Sequence, residues 1–395
     1  MKRCKWFMMS SVLLLSMWSC SSDDDNSGEG QQVPILLSGV DVSGHTSRAL
    51  VTDITDFQKD GFRVMGYKQM GDNFVPIFHD QLVSYNSSEW TYSPIKYWDI
   101  RAGRYHFTAY YPASKLYVGS DHLGLSGQKL NFYGLSNWMT IGVCDETHIG
   151  DVNGENKLLG CEKRRDTEAS FYDVMVAHSE DEPSTYLANN GIVNLKFHHL
   201  QAMIVFNVTY PNINIGGEGT PTYYVSKIQM PANLVPVASG TWSYEYGYDA
   251  DMNFSGTYKN ITYGAEGSIF DFYGSSTLNE TPVEAIKYPH LIKRGLVCPF
   301  DLPEGKQFQF NVTYYRGERG LKGTGKTTEG VSPALTLMPV KTITVDPSVG
   351  LTKFEAGKIY TFTLKFDSGV GLELVDVYVS DWKVGETITQ DFYNW

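Results

Sequence analysis

The sequence of 395 residues has few cysteines, no surplus of positive charge and none of the short motifs that mark common enzymes. No two cysteines form a C-x-x-C pair, which argues against a zinc or thioredoxin-type site. Neither G-x-S-x-G nor H-E-x-x-H occurs, and no convincing pair of acidic residues stands out. The net charge of −12 gives no basic footprint for nucleic acid. We therefore expect no catalytic residue, no metal site and no cofactor.

Segments with helical periodicity are also scarce. Short runs of Val, Ile, Tyr, Phe and Thr instead alternate with Gly, Asn, Asp and Pro, in a chain with 26 Tyr and 38 Gly. This pattern predicts an all-β protein. The length suits two domains, and because no exact internal repeat occurs we expect two unlike β-sandwiches, at residues 33–212 and 213–395.

The N-terminus has an apolar run, but one too short to cross a bilayer as a stable helix. Lys2, Arg3 and Lys5 form a basic start, and Trp6–Trp18 is almost wholly apolar. This pattern is typical of a secretory signal peptide, which we place at residues 1–19.

The residue after this signal is Cys20, at the end of a segment, Leu15–Cys20, that resembles a bacterial lipobox. The resemblance implies cleavage before Cys20 and attachment of acyl chains such as palmitate, so that residues 20–32 form a lipidated linker. Without its signal the chain has 29 basic residues (32 less 3) against 44 acidic ones. Its link to the outer membrane must then be the acyl group and not charge. The simpler alternative is a secreted protein in which Cys20 has no such role.

Three further cysteines remain in the mature chain, namely Cys144, Cys161 and Cys298. Cys144 and Cys161 could close a loop in an oxidising compartment, which would leave Cys298 unpaired. Buried free thiols are the alternative that we prefer, because free cysteine is among the most buried residue types.

Many segments have the composition or alternation of strands. Strands are predicted at residues 33–42, 62–70, 74–78, 81–85, 105–111, 173–177, 193–210, 223–230, 308–315, 334–345, 358–366 and 372–384. Residues 202–210 have one apolar and one mixed face, which predicts a half-buried antiparallel strand. In the strand at 358–366 the apolar face consists of Tyr360, Phe362, Leu364 and Phe366.

Two short motifs resemble functional sites but lack the required context. Gly320–Thr327 matches the P-loop expression, yet Gly330 and Pro333 follow where that motif needs a helix, so we expect a flexible loop. His198 and His199 are neighbours on a predicted strand. They should therefore point to opposite faces, one into the core and one outward, and cannot chelate one metal together.

Two further groups leave an alternative open. Asp249, Asp251 and Asn253 are spaced as in a calcium loop, but the glycine and the closing acidic ligand of that loop are absent. We expect solvated carboxylates there, with a weak calcium site as the alternative. Trp90 and Trp98 could form a platform for sugar stacking, but their setting among strand residues favours packing in the core.

Several segments together resemble the fimbrillin family (FimA/Mfa-like) of Bacteroides-type bacteria. They are Trp90–Trp98, Tyr105–Pro112, Asp173–Ala177, Leu195–Ala202, Ala356–Leu364 and Val379–Trp382. Their order, with the lipobox before them, carries the resemblance, since none is a catalytic signature. The family implies two transthyretin-like β-sandwich domains of Greek-key topology and a major, minor or tip subunit of a surface pilus.

The resemblance also implies how such a subunit matures. A trypsin-like protease cuts after an arginine that follows the first strand, and Arg48, before Ala49, stands at that position. Loss of residues 20–48 would take Val33–Val42 out of its sheet and leave a groove for a C-terminal strand of the next subunit. The donor strand of this sequence would be Leu372–Val384. The residues expected to share its apolar face are Leu372, Leu374, Tyr378, Trp382 and Val384.

Each of these assignments has an alternative. Arg48 could be an ordinary loop arginine, and the C-terminal strand could be a permanent strand of its own domain. We prefer a fimbrial subunit at the outer cell surface, whose partners are other pilus subunits of the same or a related kind and a host or bacterial surface ligand. The first alternative is a surface glycan-binding lipoprotein that does not polymerise. The second is a secreted hydrolase, which is the least favoured because the sequence contains no catalytic motif.

Overall fold

The computed structural model describes residues 32–39, 54–113, 117–118, 128–132, 149–152, 155–158, 174–212, 221–236, 242–248, 254–259, 261, 263–274, 282–285, 287–318, 335–367 and 371–382. Within them the chain is almost entirely β-structure, arranged in several sheets that form β-sandwich cores. The prediction of an all-β fold is confirmed.

The secondary structure consists of short strands with two brief helices. The first half contains β1 (Leu36–Gly39), α1 (Ile54–Asp60), β2 (Phe62–Met70), β3 (Asn73–Tyr85), β4 (Trp90–Thr91), β5 (Tyr105–Tyr111), β6 (Tyr117–Val118), β7 (Gln128–Phe132), β8 (Ile149–Val152), β9 (Glu155–Leu158), β10 (Met175–Asp181), α2 (Pro183–Ala188), β11 (Ile192–Leu195) and β12 (His198–His199). The second half contains β13 (Ala202–Thr209), β14 (Pro221–Pro231), β15 (Trp242–Tyr248), β16 (Phe254–Lys259), β17 (Ile269–Tyr273), β18 (Val283–Glu284), β19 (His290–Val297), β20 (Phe300–Asp301), β21 (Gln309–Glu318), β22 (Thr336–Leu337), β23 (Lys341–Thr344), β24 (Lys353–Phe354), β25 (Lys358–Asp367) and β26 (Gly371–Asp381). Single turns of 3₁₀ helix lie at Ala232–Leu234 and Pro347–Val349.

A six-stranded antiparallel sheet, in the order β12-β10-β5-β2-β3-β4, dominates the first half. One face of this sheet packs into a core that includes Phe57, Trp98 and Phe107. Side chains of β1 and β11, which pair with each other, belong to the same core. The layer formed by β1 and β11 therefore covers this face of the sheet.

The other face of the first sheet is covered by a hairpin from the second half. Tyr244 of this hairpin, which β15 and β16 form, packs in one cluster with Met65 and Tyr110. The Tyr258 hydroxyl donates a hydrogen bond to the Leu200 carbonyl (2.8 Å). Because both faces are covered, β5 is buried along its whole length.

The second half is a sandwich of two larger sheets. One has the order β19-β13-β25-β26, and the other has β17-β14-β21-β22, with β18 and β23 paired at its sides. Between them lies a core in which the rings of Phe310 and Phe362 lie 4.8 and 5.1 Å from that of Phe206. Such aromatic packing adds to the burial of apolar area that stabilises the sandwich.

Several predicted strands agree with the structure in bounds and in face. The strands β2 and β5 begin and end where the sequence predicts them. The apolar face of β25, formed by Tyr360, Phe362, Leu364 and Phe366, lies in the core of the second half as expected.

Residues 74–78 and 81–85, predicted as two strands, are one strand, β3. The interruption is an irregularity in its pairing with β2, near Asp80, which has a positive φ of 46°. The Arg63 guanidinium donates to the carbonyl of Asp80 (2.9 Å) and to its carboxylate (3.0 Å). The chain therefore continues as one strand through a bend that lies between the two strands predicted from the sequence.

The strand β13 differs from its prediction as a half-buried antiparallel strand of the first half. It is buried at every residue, and it runs parallel to β25 and antiparallel to β19 in a sheet of the second half. Its second face is buried because Met203 and Val205 pack with Trp382. The strand β13 therefore pairs with strands that lie after the expected boundary at residue 212.

Candidate functional site

The strand β1 and the three residues before it, together residues 33–39, have backbone partners on two sides. On one side it runs parallel to β11, and the Leu36 N–H donates to the Gly191 carbonyl (2.9 Å). On the other side the Ile35 N–H donates to the Lys96 carbonyl (2.8 Å), and the Val33 carbonyl accepts from the segment 96–98. The strand β1 therefore fills a slot between β11 and this segment.

The side chains of β1 and the residues before it alternate between core and solvent. Ile35 is 1 % exposed and Leu37 is 4 % exposed, and both belong to the core of the first half. Val33, two residues earlier, is half-buried and packs against the same core. Leu36 points the other way and is 42 % exposed. The inward face is thus a stripe of three aliphatic side chains.

A buried tyrosine fixes the middle of the strand. The Tyr92 hydroxyl donates to the Ile35 carbonyl (2.7 Å) and accepts from the Lys96 N–H (3.3 Å). Burial raises the pKa of Tyr92, so the hydroxyl remains a proton donor over the physiological pH range. Tyr92 thereby joins β1 to the segment beside it.

The rim of the slot needs a residue without a side chain. Gly191 has a positive φ of 75°, and a Cβ there would lie 2.8 Å from the Pro34 carbonyl oxygen and 3.0 Å from the Trp98 indole nitrogen. The first distance is shorter than real Cβ contacts show and the second is unusually tight, and the φ itself favours glycine. Gly191 therefore allows the backbone of β1 to approach closely.

The two tryptophans considered for sugar stacking are packed instead. Trp98 is buried, stacks on Tyr186 at a centroid distance of 4.7 Å and donates from its indole to the Gly191 carbonyl (3.2 Å). Trp90 is half-buried and lies edge-on to Phe57 at 5.4 Å. The interpretation of both residues as core packing is confirmed.

The helix α1, which follows β1 in the described chain, is held by its own contacts. Phe57 is 1 % exposed, stacks on Tyr111 at 4.8 Å and lies 5.9 Å from Phe62. These contacts involve no residue of β1, so the helix has an anchor in the core that does not depend on that strand.

The C-terminal strand β26 is an edge strand of its own sheet. It pairs antiparallel with β25 along its whole length, from Gly371 opposite Asp367 to Asp381 opposite Lys358. This arrangement is the alternative raised for the strand from its sequence.

A β-bulge changes the faces of β26. The pairing shifts between Leu374 and Asp376, so that Val375 is the extra residue. Before the bulge Leu372 and Leu374 face the core, whereas after it Tyr378 is 53 % exposed. The predicted common face is therefore wrong, because the bulge inverts the alternation.

Trp382 closes the end of this strand on the outer side of the sheet. It is 4 % exposed and stacks on His199 at 3.9 Å. His199 is itself buried, whereas His198 is exposed. The predicted split of the two histidines between core and solvent is confirmed.

The remaining candidate residues divide by whether they are described. Cys298 is a buried free thiol, as preferred from the sequence, and burial raises its pKa to about 12. Cys20, Arg48, Ala49, Cys144, Cys161, Val384 and the segments 249–253 and 320–327 lie outside the described residues. The predictions made for them stay predictions.

In the part of the chain that the structure describes, no group of three or more His, Cys, Asp or Glu side chains could hold a metal ion. Neither helix in that part is long and apolar enough to span a membrane.

Three features of the slot were not predicted from the sequence. The parallel pairing of β1 with β11 and the bond from Tyr92 to Ile35 join residues far apart in the chain, and no local pattern indicates them. Gly191 follows Asn189 and Asn190, a turn signal that could have drawn attention to this position.

The chain is similar to one known protein family and to solved structures. The model of a family described as fimbrillin-like matches residues 47–382. A fimbrial protein from Bacteroides vulgatus aligns with a TM-score of 0.55 and 14 % identity, over 89 % of this chain and 99 % of that one. A candidate cell adhesion protein from Bacteroides uniformis aligns with a TM-score of 0.41 and 13 % identity, over 89 % and 98 % of the two chains. No significant match to a curated protein sequence was found.

Proposed function

The chain belongs to the fimbrillin-like family, and on this premise we propose that it is a structural subunit of a cell-surface fimbria that assembles by strand exchange. The family is structural and adhesive and not enzymatic. The proposal adds the mechanism of assembly, the processing steps and the anchor in the outer membrane.

The observation that carries the proposal is the interior position of β1. If β1 and the residues before it were removed, the carbonyls of Lys96 and Gly191 and the hydroxyl of Tyr92 would each lose one hydrogen bond. A hydrogen bond of this kind contributes about 0.5–1.5 kcal/mol to stability. The pockets of Ile35 and Leu37 would also open to water, at about 1.5–3 kcal/mol for each such side chain. A slot of this kind binds an extended segment of suitable pattern.

The rest of the first half should stay folded when β1 is lost. The contacts of Phe57 with Phe62 and Tyr111 hold the helix α1 in the core. A new N-terminus at Ala49 would lie five residues before Ile54, where α1 begins. The cut chain would therefore keep its core and expose the slot.

The processing steps follow from the N-terminal sequence. Lipid on Cys20 would place the chain at the outer membrane, and cleavage between Arg48 and Ala49 would release residues 20–48. This segment contains the lipid site as well as β1, so one cut would both free the subunit from its anchor and open the slot.

The donor in this proposal is a C-terminal strand of a neighbouring pilus subunit. Two transthyretin-like domains are part of the same proposal, with β13 assigned to the second. An adhesive role toward a host or bacterial surface would depend on surfaces other than the slot.

Limited digestion with trypsin tests the proposal. We expect cleavage after Arg48, a new N-terminus at Ala49 and release of β1, measured by mass spectrometry and size exclusion. An Arg48→Ala variant should keep β1, whereas Arg101→Ala, at an exposed arginine within the described fold, should be cut like the wild type.

The cleaved protein should then bind a labelled peptide of residues 32–42. Binding by the cleaved chain but not by Arg48→Ala would support an open slot. The proposal would be contradicted if release of β1 were followed by global unfolding. It would also be contradicted if the cleaved chain did not bind the peptide.

A further inference from the structure

We propose that the slot left by β1 accepts a strand from a different protein chain and not from a second copy of this one. The inference rests on the proposed function and narrows its partner. It follows from comparing what the slot holds with what the C-terminus of this chain can offer.

The slot sets a pattern for its occupant. The inward stripe of Val33, Ile35 and Leu37 requires aliphatic side chains at three alternating positions. The N–H groups of Ile35 and Leu36 both donate to the walls of the slot. An occupant therefore cannot have proline at these two positions, because proline has no N–H.

The C-terminal region of this chain contains that pattern only at β26. From residue 370 onward, three aliphatic residues alternate twice: Val370, Leu372 and Leu374, and then Val375, Val377 and Val379. Beyond Trp382 the pattern does not recur. There Val384 and Ile388 are separated by Glu386, and Gln390 follows Ile388 at the next alternate position.

Both matching segments involve β26, which is held in its own sheet. Leu372 is 2 % exposed in the core of the second half, and β26 pairs with β25 from end to end. Ion pairs join Lys358 to Asp381 and Lys365 to Glu373 along the same pair of strands. Release of β26 would break this pairing and expose the core beneath it.

The stacked Trp382 adds a second anchor at the end of β26. It is buried among Met203, Val205, Leu296 and Ile359 on the outer side of the sheet. A donor strand taken from this chain would have to leave both faces of its sheet at once. The partner is therefore an extended segment of another protein, aliphatic at three alternating positions and not already committed to a sheet.

The test uses trypsin-cleaved full chain and three labelled peptides: residues 32–42, residues 371–382 and residues 383–395. We expect the first to bind, and its Ile35→Asp version to bind at least about tenfold more weakly, a difference of about 1.4 kcal/mol. The free peptide 371–382 should bind measurably because it carries the pattern, whereas 383–395 should not. The cleaved chain alone should remain monomeric in size exclusion and should form no SDS-resistant ladder.

The outcomes separate the two proposals. A ladder formed by the cleaved chain alone and suppressed by excess peptide 32–42 would overturn the choice of a different partner while leaving strand exchange intact. Binding of 383–395 as tight as that of 32–42 would do the same. Failure of peptide 32–42 to bind would remove the slot and both proposals with it.

Discussion

The interior position of β1 predicts a sharp difference between two neighbouring side chains. Ile35 is 1 % exposed and Leu36 is 42 % exposed on the same strand. Ile35→Ala removes three buried carbons, which at about 0.8 kcal/mol per methylene, with a cavity term added, gives about 3 kcal/mol. Leu36→Ala removes the same number of carbons from a largely hydrated position and should cost less than about 1 kcal/mol.

The assay is hydrogen exchange of the peptide that covers residues 32–39, in the intact chain before any cleavage. This measurement reports the opening of β1 itself, whereas global unfolding would mix the cores of the two halves. A loss of about 3 kcal/mol corresponds to a fall in protection of about 100-fold for Ile35→Ala. Equal loss of protection in the two variants would refute the assignment of Ile35 to the core and of β1 to the slot.

Four further substitutions test the surroundings of the slot and of the C-terminal strand. Tyr92→Phe removes the donor to a buried carbonyl and should lower the free energy of unfolding by about 1–2 kcal/mol, measured in urea. The hydrogen bond from Arg101 holds the pKa of Asp99 well below its usual range, so the charged form stabilises the fold above the unfolded pKa of about 3.9. The gap in urea midpoint between wild type and Asp99→Asn should therefore be present at neutral pH and shrink as the pH falls below that value; a gap that grows in acid would contradict it. Trp382→Ala should cost about 3 kcal/mol in urea unfolding because the residue is buried, whereas Tyr378→Ala, exposed on the same strand, should change stability by less than about 0.5 kcal/mol. Similar losses in these last two variants would show that Tyr378 is packed like Trp382 and not exposed as described.

The alternation of apolar and polar residues predicted the buried face correctly where it continued without a break along the strand. The face formed by Tyr360, Phe362, Leu364 and Phe366 is buried as predicted, because β25 has no break in its alternation on that face. Prediction failed where a local irregularity intervened. The bulge at Val375 inverts the faces of β26. The aliphatic alternation changes phase at the same place, from Leu372 and Leu374 to Val375 and Val377, and the single predicted face did not take this shift into account.

The sequence predicted the strand that fills the candidate site but not the residues that surround it. The sequence predicted an early strand at residues 33–42, and the structure places β1 within that range. Its partners were hidden, since Tyr92 lies 57 residues from Ile35 and Gly191 much farther from Leu36. Pairings of this range depend on how the whole chain folds back and not on local preference.

The sequence by itself determined that this is an all-β, acidic chain of the fimbrillin type with an early aliphatic strand and no catalytic motif, because composition, alternation and short motifs are local properties. Only the tertiary structure decided that residues 33–39 have backbone partners on two sides, that β13 pairs with strands of the second half and that β26 is bound into its own sheet. The physical reason is that a strand carries its side-chain pattern alone, whereas its backbone hydrogen bonds require partners that the fold supplies from distant parts of the chain.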